Sequence, residues 1–226
     1  MKTKTGLVIN IRRGDSFIWG QSQQGLKKYN GALGTVVDIG AHVGCFSLAA
    51  AQMGAKRVWA FEPVGDNYSR LVENIVRNNF WGRIIPMPFA VFNYHLKMAQ
   101  IGKARNSGQY SLHYKEMYPT QLCTTYHLGE LGRHLKHIDY LKIDIEGAEW
   151  GLFAQPEIDP LLKKVSFLDL EIHDLSNKKY FKMLEGETRS SMRKKLQDKL
   201  LKHGFADVAI GGEPLGIRSV KANIKR

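Results

Sequence analysis

Thr35-Val36-Val37-Asp38-Ile39-Gly40-Ala41-His42-Val43-Gly44 is the stretch whose reading decides the fold. Thr35–Ile39 is short, β-branched and apolar, which is the pattern of a buried strand. Two glycines follow, spaced to let the backbone turn tightly. Cys45–Met53 is then apolar throughout and reads as a buried helix. Further strand–helix alternation lies downstream. Arg57–Phe61 reads as a second strand. Asp66–Asn78 reads as an amphipathic helix, with Tyr68, Leu71, Ile75 and Val76 on one face. Ile84–Val91 reads as a third strand, disturbed by Pro86 and Pro88. Tyr140–Ile145 and Val165–Ile172 supply a fourth and a fifth. Strands alternating with helices predict an α/β fold, a Rossmann-like parallel sheet with helices on both faces.

The remaining segments decorate that sheet. Gly6–Ile11 and Ser16–Gly20 read as short leading strands, and Gly25–Gly34 as a polar connection. Residues 92–127 break the rhythm and read as a β-rich insertion or lid. Leu128–Leu135, Gly147–Phe153 and the basic Ser191–His203 read as helices. Ala206–Ile210 and Ile217–Lys221 suit a closing hairpin across Gly211-Gly212. One domain, 1–226, is expected, with 1–33 an N-terminal extension and 34–226 the core.

Composition excludes several classes. No apolar run is long enough to span a bilayer, and Met1-Lys2-Thr3-Lys4 lacks a signal-peptide core. Cys45 and Cys123 match no metal-ligand spacing, so a reduced, cytoplasmic chain is expected. The net charge of +12 sits on the flanks: residues 1–30 carry +5, residues 31–174 carry −1 and residues 175–226 carry +8. Such flanks either attract an anionic partner such as nucleic acid or are simply solvated. No aromatic interleaving accompanies the charge.

The 38–44 loop joins the first strand to the first helix, where open parallel sheets bind ligands. It reads D-x-G-x-x-x-G rather than the G-x-G-x-x-G of a dinucleotide site. Asp38 repels a pyrophosphate but suits the ammonium of a methionine moiety, so S-adenosylmethionine is the expected cofactor. Gly40, Ala41 and Gly44 form the turn. Glu62, at the end of the second strand, is placed to accept both ribose hydroxyls. Pro63 suits the first turn of the next helix and Asn67 lies one turn in. Ala90 and Val91 are expected against the adenine.

The loop, the segment Ala60-Phe61-Glu62-Pro63 and the run Ile138–Glu149, with Leu141-Lys142-Ile143-Asp144-Ile145-Glu146-Gly147-Ala148-Glu149 its most specific mark, together resemble the FkbM family of class I S-adenosylmethionine-dependent methyltransferases. Thr124–Leu131 and Leu170-Glu171-Ile172-His173 also resemble it. The resemblance covers roughly residues 34–174. It implies a Rossmann-like sheet with a seventh, antiparallel strand, and typically methyl transfer to an oxygen of a small molecule or sugar. His42 departs from the pattern, being bulkier than the residue usual there. It either covers the methionine moiety or faces solvent.

Methyl transfer to a hydroxyl needs alignment and a proton acceptor. By strand alternation Lys142, Asp144 and Glu146 share one side of their strand, and Asp169, Glu171 and His173 share one side of theirs. Asp144, Glu146, Glu171 and His173 are the catalytic candidates, with Asp144 nearest the methyl donor and His173 the general base. Lys142 is expected to neutralise Asp144 or Glu171. Glu149 shares a helical face with Glu146 or serves as a helix-start acid. The resemblance favours catalysis without a metal, although Asp144, Glu171 and His173 are also magnesium-type ligands, as in catechol-type O-methyltransferases. The expected acceptor is a small molecule or glycan. The alternatives are an RNA methyltransferase using the basic flanks and a non-catalytic cofactor-binding module. For the Lys-Asp-Lys-Glu set of cap-type 2′-O enzymes Lys142, Asp144 and Glu171 are present, but no second lysine is clearly placed, Lys178 and Lys179 lying in the following loop. Oligomeric state is not legible.

Overall fold

The computed structural model describes residues 1–13, 16–92, 98–103, 110–111, 121–173, 188–206 and 215–220. Two short helices, α1 (Phe17–Ser22) and α2 (Gln24–Lys28), precede the first strand β1 (Thr35–Ile39). The alternating unit then follows as α3 (Cys45–Gln52), β2 (Arg57–Phe61), α4 (Gly65–Arg77) and β3 (Ile84–Met87). Four strands form a second sheet: β4 (Phe89–Phe92), β5 (Met98–Lys103), β6 (Tyr110–Ser111) and β7 (Gln121–His127). The chain re-enters the main sheet through α5 (Leu128–His134) and β8 (Ile138–Ile143). It continues as α6 (Glu149–Ala154), a 3-10 turn at Pro156–Ile158, α7 (Asp159–Leu162), β9 (Val165–Ile172), α8 (Arg189–Lys202) and β10 (Leu215–Val220).

The main sheet has the order β10-β9-β8-β1-β2-β3. Its pairings are parallel except that of β10, which runs antiparallel to β9. The chain moves outward from β1 to β3 and then crosses back to β8 on β1's other side. The order therefore reverses between β1 and β8, and that is where such sheets open a ligand crevice.

Strand alternation divides the core into two layers. Val36, Val58, Ala60 and Tyr140 pack with α3, α4 and the buried Leu7, Ile9 and Leu26. Val37, Ile39, Phe61, Leu141, Ile143, Leu168 and Leu170 pack with the layer of α5, α6, α7 and α8. Strands covered on both faces read as near-continuous apolar runs, which explains the ease of finding them.

Several expectations need correction. Residues 84–91 form two strands: β3 ends at Met87, Pro88 interrupts, and β4 pairs with β7 in the second sheet. Pro86 is tolerated because β3 is an edge strand. Gly6–Ile11 is not a strand of either sheet; Lys2 and Val8 form an isolated bridge. This segment lies along α4, where Asn74 and Asn78 side chains accept hydrogen bonds from the Asn10 and Val8 N–H groups at 2.6 and 2.8 Å. Side-chain amides there do the work of a neighbouring strand. Ser16–Gly20 is largely helical, within α1. Val76 is exposed, and the buried face of α4 is Asn67, Leu71, Asn74 and Ile75. Of the expected hairpin, β10 is described and pairs with β9, while its Gly211-Gly212 turn lies outside the described residues. The 92–127 segment is β-rich where described. No helix among the described residues is long and apolar enough to cross a membrane.

Candidate active site

A cavity of about 620 Å³ opens at the carboxyl ends of β1, β2, β8 and β9. Gly40 shows why the crevice has this shape. Its φ is +86°, and a Cβ there would stand 1.8 Å from the Asp144 carbonyl oxygen. Only glycine lets the two loops that follow β1 and β8 approach so closely. Gly44, at φ +90°, precedes the first turn of α3, and a Cβ on it would meet Leu71.

One end of the cavity is built around Glu62. His42 has a left-handed backbone, φ 53°, which few non-glycine residues adopt. Its N–H donates to Glu62 Oε2 at 2.7 Å. Glu62 Oε1 accepts from the Val64 N–H at 2.9 Å and the Asn67 side-chain amide at 3.4 Å. Burial pushes the Glu62 carboxyl up to about 7, against the bonds from Val64, His42 and Asn67 that favour its charge. Gly40, Ala41, His42, Glu62, Pro63, Asn67, Ala90 and Val91 all line the cavity. His42 thus faces the cavity. Pro63 does not sit in the first turn of α4: Val64 is the N-cap and Pro63 precedes it.

Asp38 departs from its expected place. It is fully buried and does not line the cavity. Its Oδ2 accepts from the Ser47 hydroxyl at 2.6 Å, and its Oδ1 faces Lys142 Nζ at 3.6 Å. The reason is register: Asp38 pairs with Lys142, which pairs with Asp169, in one row across the sheet. Burial pushes the Asp38 carboxyl up, opposed by Lys142 and Ser47. Asp38 therefore stands behind the cavity wall, paired with Lys142. Lys142 does line the cavity, reaching Asp144 Oδ2 at 3.2 Å and the Gly40 carbonyl at 3.4 Å. Burial opposes its charge, but Asp144 and Asp38 outweigh this and hold its ammonium above the usual range.

The other end gathers carboxylates around His173. Its Nδ1 lies 3.1 Å from Glu149 Oε1, and its Nε2 lies 3.5 Å from Glu146, 3.8 Å from Glu171 and 4.0 Å from Asp144. Glu149, the first residue of α6, also accepts from the Ile145 and Gly147 N–H groups. Trp150 Nε1 donates to the His173 carbonyl at 2.9 Å. Burial alone would lower His173, but the bond and charge of Glu149 and the charges of Glu146 and Asp144 hold its imidazole up to about 10. An imidazole so held is already protonated near neutral pH, so this arrangement does not suit His173 to the general-base role expected for it. For Asp144, burial raises the carboxyl, and Lys142 and His173 outweigh it to leave a lowered value. For Glu171, burial and then the Asp144 charge raise it, against His173 and Lys142.

The sequence reading missed one wall. Phe17, Ile18, Gln21 and Ser22 of α1, and Gln24 of α2, line the cavity. They pack there because α2 passes tightly over β8 and β9, where a Cβ on Gly25 would stand 1.9 Å from Asp169 Oδ2. Asp169, bonded to the Tyr140 hydroxyl at 2.7 Å, also lines the cavity.

A mostly parallel sheet whose order reverses at a loop–carboxylate cradle is the class I methyltransferase fold, and known structures agree. The human methyltransferase 10 domain containing protein matches with a TM-score of 0.54 at 13% identity, over 97% of this chain and 89% of that one. EvdMO1 matches with a TM-score of 0.53 at 13% identity, over 97% of this chain and 44% of that one. The family follows from sequence: the Methyltransferase FkbM domain matches residues 38–205, and the chain belongs to that family. The FkbM methyltransferase from Methylobacillus flagellatus KT is 20% identical, with a TM-score of 0.41, over 61% of this chain. This chain spans about a third of that protein's length, 32%. Among curated proteins, none matches.

Proposed function

We infer that the chain transfers a methyl group from S-adenosylmethionine to a hydroxyl oxygen of a small molecule or sugar. The observation that carries this reading is one cavity with a loop–carboxylate cradle at one end and a carboxylate–histidine group at the other. The cradle fits the cofactor chemically. Glu62 is an acceptor-only group that suits two donating ribose hydroxyls, and Phe89, Ala90 and Val91 offer apolar surface to adenine. Gly40, Ala41, His42, Glu62, Pro63 and Asn67 are the proposed cofactor-binding residues, with Asp38 supporting them through Lys142. When bound, the cofactor supplies a methyl group on a cationic sulfur.

The chain's own residues orient and deprotonate. Lys142 ties the Gly40 carbonyl to Asp144, coupling the cofactor loop to the acceptor end. Asp144 lies at that junction and orients the acceptor hydroxyl. Glu171, 39% exposed and facing the cavity, takes its proton. His173 and Glu146 fix the geometry of that corner. With the cofactor bound, Glu171 would hold the proton that the acceptor hydroxyl gives up on methylation.

The basic flanks favour a second reading, transfer to RNA, with the same cofactor site. Transfer of labelled methyl to sugars, phenols, carboxylates and RNA, compared side by side, tests both. Label in a sugar or phenol, lost in Asp144→Asn, supports the first reading. Label in RNA alone overturns it.

A further inference from the structure

The corner between β8 and α6 holds more negative charge than its own cations balance. Asp144, Glu146, Glu149 and Glu171 surround His173, and Lys142 already pairs with Asp38 and Asp144. Ligand atoms of Asp144, Glu146 and His173 lie within 4.8 Å of one another. Each side chain is half-buried and lines the cavity.

The histidine is held as a metal ligand is held. Glu149 is 1% exposed and takes His173 Nδ1, while its oxygens also accept two backbone N–H groups. A carboxylate on one ring nitrogen fixes the ring and turns the other toward the ion, which takes that nitrogen's lone pair as its proton leaves to solvent. That other nitrogen, Nε2, stands 3.5 Å from Glu146 Oε2 and 4.0 Å from Asp144 Oδ1. Both separations are long for hydrogen bonds. They suit two ligands each about 2.1 Å from one ion, which stand roughly 3–4 Å apart.

We propose that Asp144, Glu146 and His173 form a site for one divalent cation of the manganese or magnesium type, open to the cavity. Two carboxylates favour a hard cation, and the imidazole favours manganese within that class. The set differs from the trio expected from sequence: Glu146 replaces Glu171, which stays available for the proton. The cation's role rests on the methyltransferase reading: held beside Glu171, it makes an acceptor hydroxyl easier to deprotonate.

Manganese(II) titrated into the full chain after chelation, with the free-ion paramagnetic resonance signal as readout, tests the site. One ion per chain with submillimolar affinity is the expected result. His173→Ala and Glu146→Gln are each expected to weaken binding at least tenfold. Glu149→Gln, which removes no ligand, is expected to weaken it roughly 10–100-fold. Glu73→Gln, on the outer face of α4, leaves it unchanged. Circular dichroism reports the fold of each variant. Absence of binding at millimolar manganese overturns the proposal, as does wild-type affinity in a folded His173→Ala. S-adenosylhomocysteine calorimetry in chelator separates the two readings: cofactor binding without manganese binding removes the cation site alone, and loss of cofactor binding removes the methyltransferase reading.

Discussion

Gly40 and Glu62 carry the sharpest residue-level consequences. Gly40→Ala combines a left-handed backbone with a Cβ aimed at the Asp144 carbonyl. The backbone term alone costs about 1–3 kcal/mol, and the contact forces the two loops apart. A lower melting temperature together with weakened cofactor binding is expected; a wild-type melt would remove the argument from close approach. Glu62 gives a pH dependence. Its ionised form is the better acceptor for ribose hydroxyls, and its carboxyl is pushed up to about 7. Cofactor affinity should therefore rise roughly tenfold between pH 6 and pH 8. Calorimetry across that range checks it, and Glu62→Gln should flatten the profile. Stability runs the other way. A folded-state value raised from 4.5 to about 7 means the contribution is full below 4.5 and lost as pH rises through 7. The residue scale also marks a limit of sequence reading. Glu62 was legible because a strand end and a following turn expose it to the crevice. Asp38 was misplaced because strand register, invisible in one strand alone, sets it opposite Lys142 and seals it from the cavity.

At the scale of elements, β8 and β9 are joined by more than their ladder. The Tyr140 hydroxyl donates to Asp169 Oδ2 at 2.7 Å in a buried setting. Tyr140→Phe should cost about 1–3 kcal/mol, measured by urea unfolding. Helix α1 offers the opposite test. Phe17 is 55% exposed yet lines the cavity. Phe17→Ala should leave the melting temperature nearly unchanged, within about 0.5 kcal/mol, and raise the acceptor KM without altering cofactor affinity. An unchanged KM would take α1 out of acceptor recognition. Strands β1, β2 and β9 were readable to the residue because burial on both faces makes their apolar runs continuous. Helix α1 was not: six residues without a buried side chain give no face to read, and its position comes from packing on α3 and α2.

Over the whole molecule, charge separates by location. The chain carries +12 with its excess on the flanks, yet the cavity's inner end is carboxylate-rich. RNA binding, where it occurs, should weaken steeply with salt. Transfer to a neutral acceptor should change little over the same range; filter binding and label transfer at two ionic strengths compare them. The sequence by itself determined the alternating sheet, the family and the identities of the charged residues at the strand ends. Periodicity and short motifs are local, and they survive without any knowledge of neighbours. The tertiary structure alone decided which of those residues share a space. It set Asp38 behind the wall, ringed His173 with four carboxylates and brought α1 over the cavity. Those outcomes depend on strand order, register and the approach of loops far apart in sequence, and Gly40, pressed against Asp144, is where the approach is closest.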